Sequence, residues 1–151
     1  RRARGLGMSI SLDTNWDPAE TWNGGLPALL GMTDVFLPND QEALRISRES
    51  SLDEAAAAFL RQGVRVVALK AGAQGATLYA DGLRVQRPVV PVSGGDSIGA
   101  GDSFDAGFLA GWLRDLPLER CLEIGMACGR SVAGSIGGVA GQLTWEQVSN
   151  A

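Results

Sequence analysis

Short apolar runs alternate with amphipathic stretches along much of this chain. Residues 35–37 form a continuous apolar run and residues 64–69 a mostly apolar one, a pattern typical of strands that are buried on both faces. The stretch between them is rich in good helix formers; it begins at Ser51 or Asp53 and closes at Gly63. Strand, helix and strand in this order predict a parallel sheet with crossover helices, and therefore an α/β fold.

The same patterns predict the remaining elements. Strands are expected over residues 8–12, 76–79 and 83–87, and the last is expected to continue through Val92. Asp-Gly at residues 81–82 predicts a hairpin turn between the last two strands. Helices are expected over residues 26–30, from Gly101 to a break at 115–117, and from Leu118 to about Gly134. In the middle helix, five apolar residues share one stripe: Phe104, Phe108, Leu109, Trp112 and Leu113.

Residues 93–108, SGGDSIGAGDSFDAGF, carry the strongest chemical pattern of the chain. Gly94 and Gly95 end the preceding strand, and the small residues 99–101 let the backbone turn with unshielded N–H groups. A helix begins directly after them, and the free N–H groups and dipole of a helix start favour a phosphate. Asp102 lies in the first turn. Acids are favoured there in any helix, so a purely structural role is the alternative.

Residues 96–104, DSIGAGDSF, resemble the second signature of the PfkB, or ribokinase-like, family of carbohydrate kinases. Ile98 stands where Thr is usual in that signature. The resemblance implies a ribokinase-like three-layer sandwich, a mostly parallel sheet with helices on both faces, lacking the family's first strands and lid. It covers residues 13–138 and corresponds to the C-terminal, nucleotide-binding half of such a kinase. We therefore expect a single α/β domain over residues 1–151.

The resemblance also implies phosphoryl transfer from MgATP to a hydroxyl group of a small molecule. Asp102 would accept the hydroxyl proton, and the N–H groups of Gly99, Ala100 and Gly101 would hold the transferring phosphoryl oxygens. ATP and Mg²⁺ are thus the expected cofactors. A sugar is favoured as the acceptor over a nucleoside or a vitamin alcohol, and the parent protein is expected to be a homodimer.

Residues 39–42, NDQE, have two compatible interpretations. Asn39 can cap the helix that follows, with Glu42 at the third helical position of a capping box, which is a complete structural explanation. In the family that the chain resembles, Asn-x-x-Glu at this strand end positions metal-bound water and the nucleotide phosphates. One residue pair can serve both purposes.

Residues 70–76, KAGAQGA, resemble the family's nucleotide loop. Lys70, Gly72 and Gly75 are therefore expected to border the phosphates and ribose of ATP, although the pattern alone is a weak glycine turn. The loop at residues 135–138 is implied to border the adenine, with Gly138 among the nucleotide-binding residues. Backbone carbonyls there are implied to complete a K⁺ site together with one acid, the expected residues being Asp96, Ile98, Ala133, Ile136 and Gly138.

Residues 13–18, DTNWDP, follow the first predicted strand, at the end of the strand where ligands bind in open α/β sheets. They resemble the Asp-Pro-Asn-x-Arg stretch of many sugar kinases in the family, and Trp22 matches a Trp that often follows. Asp13 and Asn15 are therefore expected to contact the substrate, although both residue types are also common in turns. Asp17 replaces the common Arg, which argues against an acidic sugar.

Composition and charge exclude several classes of function. The net charge is −4, with 17 acidic and 13 basic residues, so no general nucleic-acid surface is expected. The only basic cluster, Arg1, Arg2 and Arg4, could be a short basic patch or, equally, the solvated tail of a helix. No apolar run is long enough to span a bilayer and no signal peptide is visible, so we expect no membrane partner and a cytoplasmic location.

The absence of histidine excludes Ser-His-Asp triads and His-containing zinc sites. A general base must then be a carboxylate, Lys or Tyr. Cys121 and Cys128 are seven residues apart in a predicted helix, and we interpret both as buried, reduced thiols.

Two alternatives from other classes stay open. The chain could be a nucleotide-binding fragment or regulatory module with no turnover of its own. It could also belong to a different α/β class such as the dinucleotide binders, but no GxGxxG pattern follows its first predicted strand.

Overall fold

A computed structural model describes residues 1–92 and 94–149 of the chain. They form two compact units, each held together by contacts among its own residues. The first holds residues 1–71 and 77–85, and the second holds residues 72–76 and everything described from Gln86 onward. The expectation of a single domain over the whole chain stays a prediction.

Five strands form one sheet in the order of the sequence: β1 (Ser11–Leu12), β2 (Val35–Phe36), β3 (Val66–Lys70), β4 (Ala76–Ala80) and β5 (Leu83–Arg87). The first three are parallel, with Leu12 opposite Phe36 and Phe36 opposite Val67. The connections from β3 to β4 and from β4 to β5 are too short for a parallel crossover, so these strands run antiparallel and the sheet is mixed. The predicted hairpin at residues 81–82 is thereby confirmed.

Four helices accompany the strands of the first unit: α1 (Arg2–Gly5), α2 (Leu26–Leu30), α3 (Asp40–Ser47) and α4 (Leu52–Arg61). Ser51 caps α4 by accepting the N–H of Glu54, as the sequence pattern predicts. The core is apolar and includes Phe36 and Phe59, whose rings meet edge to face with centroids 5.0 Å apart.

One prediction for the first residues is wrong, and buried Asp34 explains it. Its carboxylate accepts the N–H of Ile10 at 2.8 Å and pairs with Arg4 at 3.3 Å. The strand predicted over residues 8–12 is therefore reduced to Ser11–Leu12, since the Ile10 N–H bonds to a side chain instead of a neighbouring strand. Arg4 lies in α1 with its side chain 43% exposed, as expected for the solvated tail of a helix, and its guanidinium also donates to the Met32 carbonyl at 3.0 and 3.1 Å.

The second unit contains a short 3₁₀ turn at Gly72–Gln74 and three helices: α5 (Ala100–Trp112), α6 (Leu118–Ala133) and α7 (Trp145–Ser149). The predicted bounds of α5 and α6 are confirmed to within about one to two residues at each end. The prediction that β5 continues to Val92 is wrong, because Pro88 lacks the N–H needed to extend the ladder. Leu113 was expected in the apolar stripe of α5, but it lies beyond the last turn and is exposed.

Glycines on both helices bring α5 and α6 close together. A Cβ at Gly107 would lie 2.8 Å from Cys128 Sγ, and one at Gly111 would lie 3.1 Å from Cys121 Sγ. The two helices thus pack closely through small residues. Both thiols are free and buried, and burial raises the pKa of each.

No helix in the described part of the chain is long and apolar enough to cross a membrane.

We predict that Gly107→Ala destabilises the fold by about 1–3 kcal/mol, because the added methyl group overpacks the helix interface. The methyl would lie 2.8 Å from Cys128 Sγ and 3.0 Å from the Ile124 carbonyl oxygen. Urea unfolding measures the change in the free energy of unfolding. Cys128→Ala in the same background should restore part of the loss, because it removes the nearer of these atoms.

Gly5→Ala is the matched control, since no atom lies within 4 Å of an added methyl group there. We expect this variant to be as stable as wild type or slightly more stable. Equal effects of the two substitutions would contradict close packing of α5 on α6.

Tyr79, the only tyrosine of the chain, belongs to a polar network that the sequence analysis did not predict. Its hydroxyl donates to Asp53 at 2.7 Å, and the Arg84 guanidinium donates to the same carboxylate oxygen at 2.9 Å. Burial, followed by this hydrogen bond, raises the pKa of Tyr79 to about 12. The hydrogen bonds from Arg84 and Tyr79 lower the pKa of Asp53.

We predict that stability falls as the pH rises from about 10 to about 12, the pKa range over which Tyr79 stays protonated only in the folded state. The folded state binds the proton more tightly, so raising the pH through this range favours unfolding. The ultraviolet absorbance of tyrosinate reports the titration directly. Tyr79→Phe should lose less stability over this pH range, because it has no phenol group to titrate. A tyrosinate absorbance of the wild type with its midpoint near pH 10 would contradict the network.

Candidate active site

The carboxyl ends of β1, β2 and β3 bring three of the predicted residues to one edge of the sheet. Asp13 directly follows β1, Asn39 follows β2, and Lys70 ends β3. The Lys70 ammonium lies 3.1 Å from an Asp13 carboxylate oxygen, and its side chain is only 14% exposed. The backbone of Asn39 pairs with that of Lys70 in a parallel bridge. Lys70 is also the only lysine of the chain.

Asn39 and Glu42 form the predicted capping box at the start of α3. Asn39 Oδ1 accepts the Glu42 N–H at 2.8 Å, and Glu42 Oε2 accepts the Asn39 N–H at 3.0 Å. Glu42 is only 4% exposed. Within the described residues no three acidic, Cys or His side chains group to hold a metal. A magnesium ion that keeps its water shell and meets only these two side chains fits the arrangement, and this role stays a prediction.

The loop after β1 is organised by Asp17, a role that the sequence analysis missed. The Asp17 carboxylate accepts the backbone N–H groups of Ala19, Thr21 and Trp22 at 2.8 to 3.0 Å, and the Thr21 hydroxyl at 3.1 Å. These bonds lower the pKa of Asp17, the one from Trp22 most strongly. An Asp before Pro, with Thr four residues later, is the local signal for such a turn. Asn15, expected as a substrate contact, is exposed.

The glycine loop before α5 presents unpaired amides in the second unit. Gly99 adopts a left-handed φ of 74°, and a Cβ there would clash with the Gly138 carbonyl oxygen. The N–H groups of Gly101 and Asp102 donate to no backbone carbonyl in the described part of the chain. Ala100, predicted to offer its N–H to phosphate, already donates it to the Ser97 carbonyl at 3.2 Å. Asp102 lies exposed in the first turn, as predicted.

Asp96 ties this loop to the loop after α6. One carboxylate oxygen accepts the Ile98 N–H and the other accepts the Gly137 N–H, each at 3.0 Å. The Asp96 N–H donates to the Ser135 carbonyl at 3.1 Å. Asp96 therefore braces its own loop with one oxygen and ties that loop to the loop after α6 with its other oxygen and its backbone N–H.

The residues predicted for a K⁺ site are only partly brought together. A Cβ at Gly138 would lie 3.2 Å from the Ile98 side chain, and one at Gly95 would clash with the Ala133 carbonyl oxygen. Ile136 is largely exposed. The K⁺ site stays a prediction.

Gly72 and Gly75 have structural reasons for their positions. The Gly75 N–H donates to the Gly72 carbonyl at 3.0 Å and closes the 3₁₀ turn. Gly75 has a φ of 93°, and a Cβ there would clash with the Arg87 carbonyl oxygen. Their contact with a nucleotide stays a prediction.

Comparison with known proteins identifies the family. The family model of the pfkB family carbohydrate kinases matches residues 3–145. An uncharacterized sugar kinase of Archaeoglobus fulgidus is 34% identical over 78% of this chain and 46% of its own length. An ATP-dependent ribose-1-phosphate kinase of Halopiger xanaduensis is 34% identical over 91% of this chain and 44% of its own length. The chain thus spans less than half the length of these curated relatives.

Solved structures agree in fold. An E. coli protein provisionally named ribokinase II, in complex with ATP and Mg²⁺, has a TM-score of 0.89 and 28% identity, covering 97% of this chain and 49% of that one. The nucleoside kinase of Methanocaldococcus jannaschii has a TM-score of 0.81 and 25% identity, covering 95% of this chain and 47% of that one. The ribokinase-like fold is confirmed, and this chain belongs to the PfkB family of carbohydrate kinases.

Proposed function

We propose that the protein transfers a phosphoryl group from MgATP to a hydroxyl group of a small molecule, with a sugar as the acceptor. The start of α5 carries the proposal. There an exposed carboxylate, Asp102, stands in the first helical turn beside two backbone N–H groups that no backbone carbonyl of the described residues accepts. At this one place the N–H groups can stabilise negative charge that develops on the phosphoryl oxygens, and the carboxylate can accept the hydroxyl proton.

Asp102 acts as the general base in this proposal. A carboxylate can take the proton of the acceptor hydroxyl as that oxygen attacks phosphorus. Its exposure leaves it accessible to a substrate. The chain has no histidine that could act as the base instead. Among the described residues, Asp102 is the only charged side chain in the first turn of α5.

The helix start holds the phosphoryl oxygens. The N–H groups of Gly99 and Gly101 are the predicted donors, and the unpaired N–H of Asp102 joins them. The positive end of the dipole of α5 adds to their effect. Ala100 can contribute its N–H only by giving up its bond to Ser97, so we assign it the smallest share.

The nucleotide supplies the transferable phosphoryl group, and its magnesium ion neutralises charge on the phosphate oxygens. In the first unit, we assign Lys70 to the phosphates, and Asn39 and Glu42 to the water shell of the ion. The ammonium of Lys70 is held in place by Asp13, and both capping residues are fixed by their mutual hydrogen bonds. Each of these groups is therefore positioned before a ligand binds.

The acceptor is assigned to the sugars because the family is that of carbohydrate kinases. Among relatives, the Halopiger protein is named for ribose-1-phosphate and a 33% identical Thermococcus kodakarensis protein for cytidine, so the sugar moiety is common to both names. Asp13 and Asn15 are the assigned substrate contacts in the first unit.

We predict that the chain binds MgATP, and that Gly101→Val weakens binding by at least about tenfold, because a branched side chain shields the amides at the helix start. Asp102→Ala should bind MgATP at least as tightly as wild type, since it only removes a negative charge near the phosphates. Calorimetric titration measures both. In a turnover assay of the intact kinase, Asp102→Ala should lower kcat by on the order of 10²–10⁴-fold.

Circular dichroism and urea unfolding show whether each variant is folded. A folded wild type that binds no MgATP, or a Gly101→Val variant that binds it normally, contradicts the assigned phosphate position. MgATP should also protect Lys70 from acylation. Because it is the only lysine, the modification of its side chain is read from one peptide by mass spectrometry.

A further inference from the structure

A cavity of about 240 Å³ lies among α5, α6 and α7 in the second unit. Its wall is mostly apolar and includes Ala110 of α5, Ile124 of α6 and Val148 of α7. Two other residues of the wall, Ala106 and Gln142, are exposed, so the cavity is open to solvent. It is therefore a space that a small molecule can enter.

The size and lining of the cavity suit a molecule with one ring. An apolar protein cavity of about 150 Å³ is large enough to hold benzene. The cavity described here is larger, so it has room for a ring and one substituent. The indole of Trp145 forms part of its wall, and aromatic rings pack favourably against each other.

Arg114 is the only charged residue among the described residues that line the cavity. Its guanidinium lies over the indole of Trp145, 3.9 Å from the ring centroid. Arg114 Nη1 also donates to the Ala110 carbonyl at 2.8 Å. A cation–π contact and a hydrogen bond thus hold this cation at the wall of an apolar cavity.

Trp145, which supports the guanidinium, is itself held by the core of the second unit. It is half-buried and packs against the buried cluster of Ile124, Cys128 and Val148. The position of the cation is therefore set before a ligand arrives. A ligand that pairs with it does not have to order a free side chain, which lowers the entropic cost of binding.

The guanidinium of Arg114 keeps donors for a ligand. Its Nε and Nη2 donate to no described residue, and no carboxylate of the described chain pairs with it. A guanidinium carries five N–H donors, and its planar edge matches the two oxygens of a carboxylate. The described wall of the cavity contains no Asp or Glu that would repel such an anion.

We propose that this cavity binds a small aromatic monocarboxylate, with its ring in the apolar interior and its carboxylate paired with Arg114. The inference does not rest on the proposed function, because no residue assigned there to the nucleotide or the acceptor lines the cavity. The acid is a further ligand of the second unit, and it neither donates nor accepts the phosphoryl group.

The test is a calorimetric titration of the chain with sodium benzoate. Benzamide has the same ring without the charge, and acetate has the charge without the ring. Wild type should bind benzoate at least about tenfold more tightly than either. Arg114→Gln should weaken benzoate binding at least about tenfold, the loss expected for one charge-assisted hydrogen bond, and should leave benzamide binding unchanged.

Arg130→Gln is the matched control. Arg130 is an exposed arginine in the last turn of α6 and does not line the cavity, so its replacement should leave benzoate binding unchanged. Ala110→Leu should abolish the binding of both benzoate and benzamide, because the larger side chain fills the cavity. Circular dichroism and urea unfolding show whether each variant is folded.

The indole N–H resonances of the tryptophans locate the ligand in NMR spectra of the wild type. That of Trp145 should shift as benzoate is added, whereas that of Trp16, in the first unit, should stay in place. This measurement needs no variant, so it tests the proposal even where Ala110→Leu does not fold.

Several results would overturn the proposal: a folded wild type that binds no benzoate, benzamide or acetate binding as tightly as benzoate, wild-type affinity in Arg114→Gln, or an unchanged Trp145 resonance at saturation. Displacement of benzoate by MgATP would also overturn it, because the two ligands would then share one site. A chain that binds benzoate as described but no MgATP contradicts the proposed function alone.

Discussion

The close contact between α5 and α6 is the constraint on which the second unit's part of the candidate site depends. Gly107 and Gly111 on α5 leave room for the cysteines of α6, and Gly129 on α6 leaves room for the first residue of α5, since a Cβ there would lie 2.9 Å from the Ala100 carbonyl oxygen. The position of the first turn of α5 is thus set by helix packing. Asp102 and its neighbouring amides are thereby held by the core and not by the loop alone.

In the first unit, the same side chains serve the fold and the candidate chemistry. Asn39 and Glu42 satisfy the start of α3, and Lys70 with Asp13 ties the ends of β3 and β1. Because structural interactions already hold these side chains, they are in position before a ligand arrives. This double role also means that activity loss in a variant of these residues must be separated from loss of structure.

Local sequence patterns predicted much of this architecture. Residue periodicity and capping signals located α4, α5 and α6 closely, because short-range preferences and tertiary packing agree there. The strand over residues 8–12 failed because buried Asp34, distant in sequence, takes the Ile10 N–H. The acid at position 17 was compared with an expected Arg, and its role as the centre of a loop was missed. Its bonds to three backbone N–H groups and to the Thr21 hydroxyl follow only from the folded turn.

The most direct test of the account is to follow the backbone amide NMR resonances of the chain as MgATP is added. If phosphate binds at the start of α5, the Gly101 and Asp102 resonances should shift most, while that of Gly82 in the β4–β5 hairpin should stay in place. Unchanged resonances of Gly101 and Asp102 at saturating MgATP, or shifts confined to other residues, would contradict the central claim.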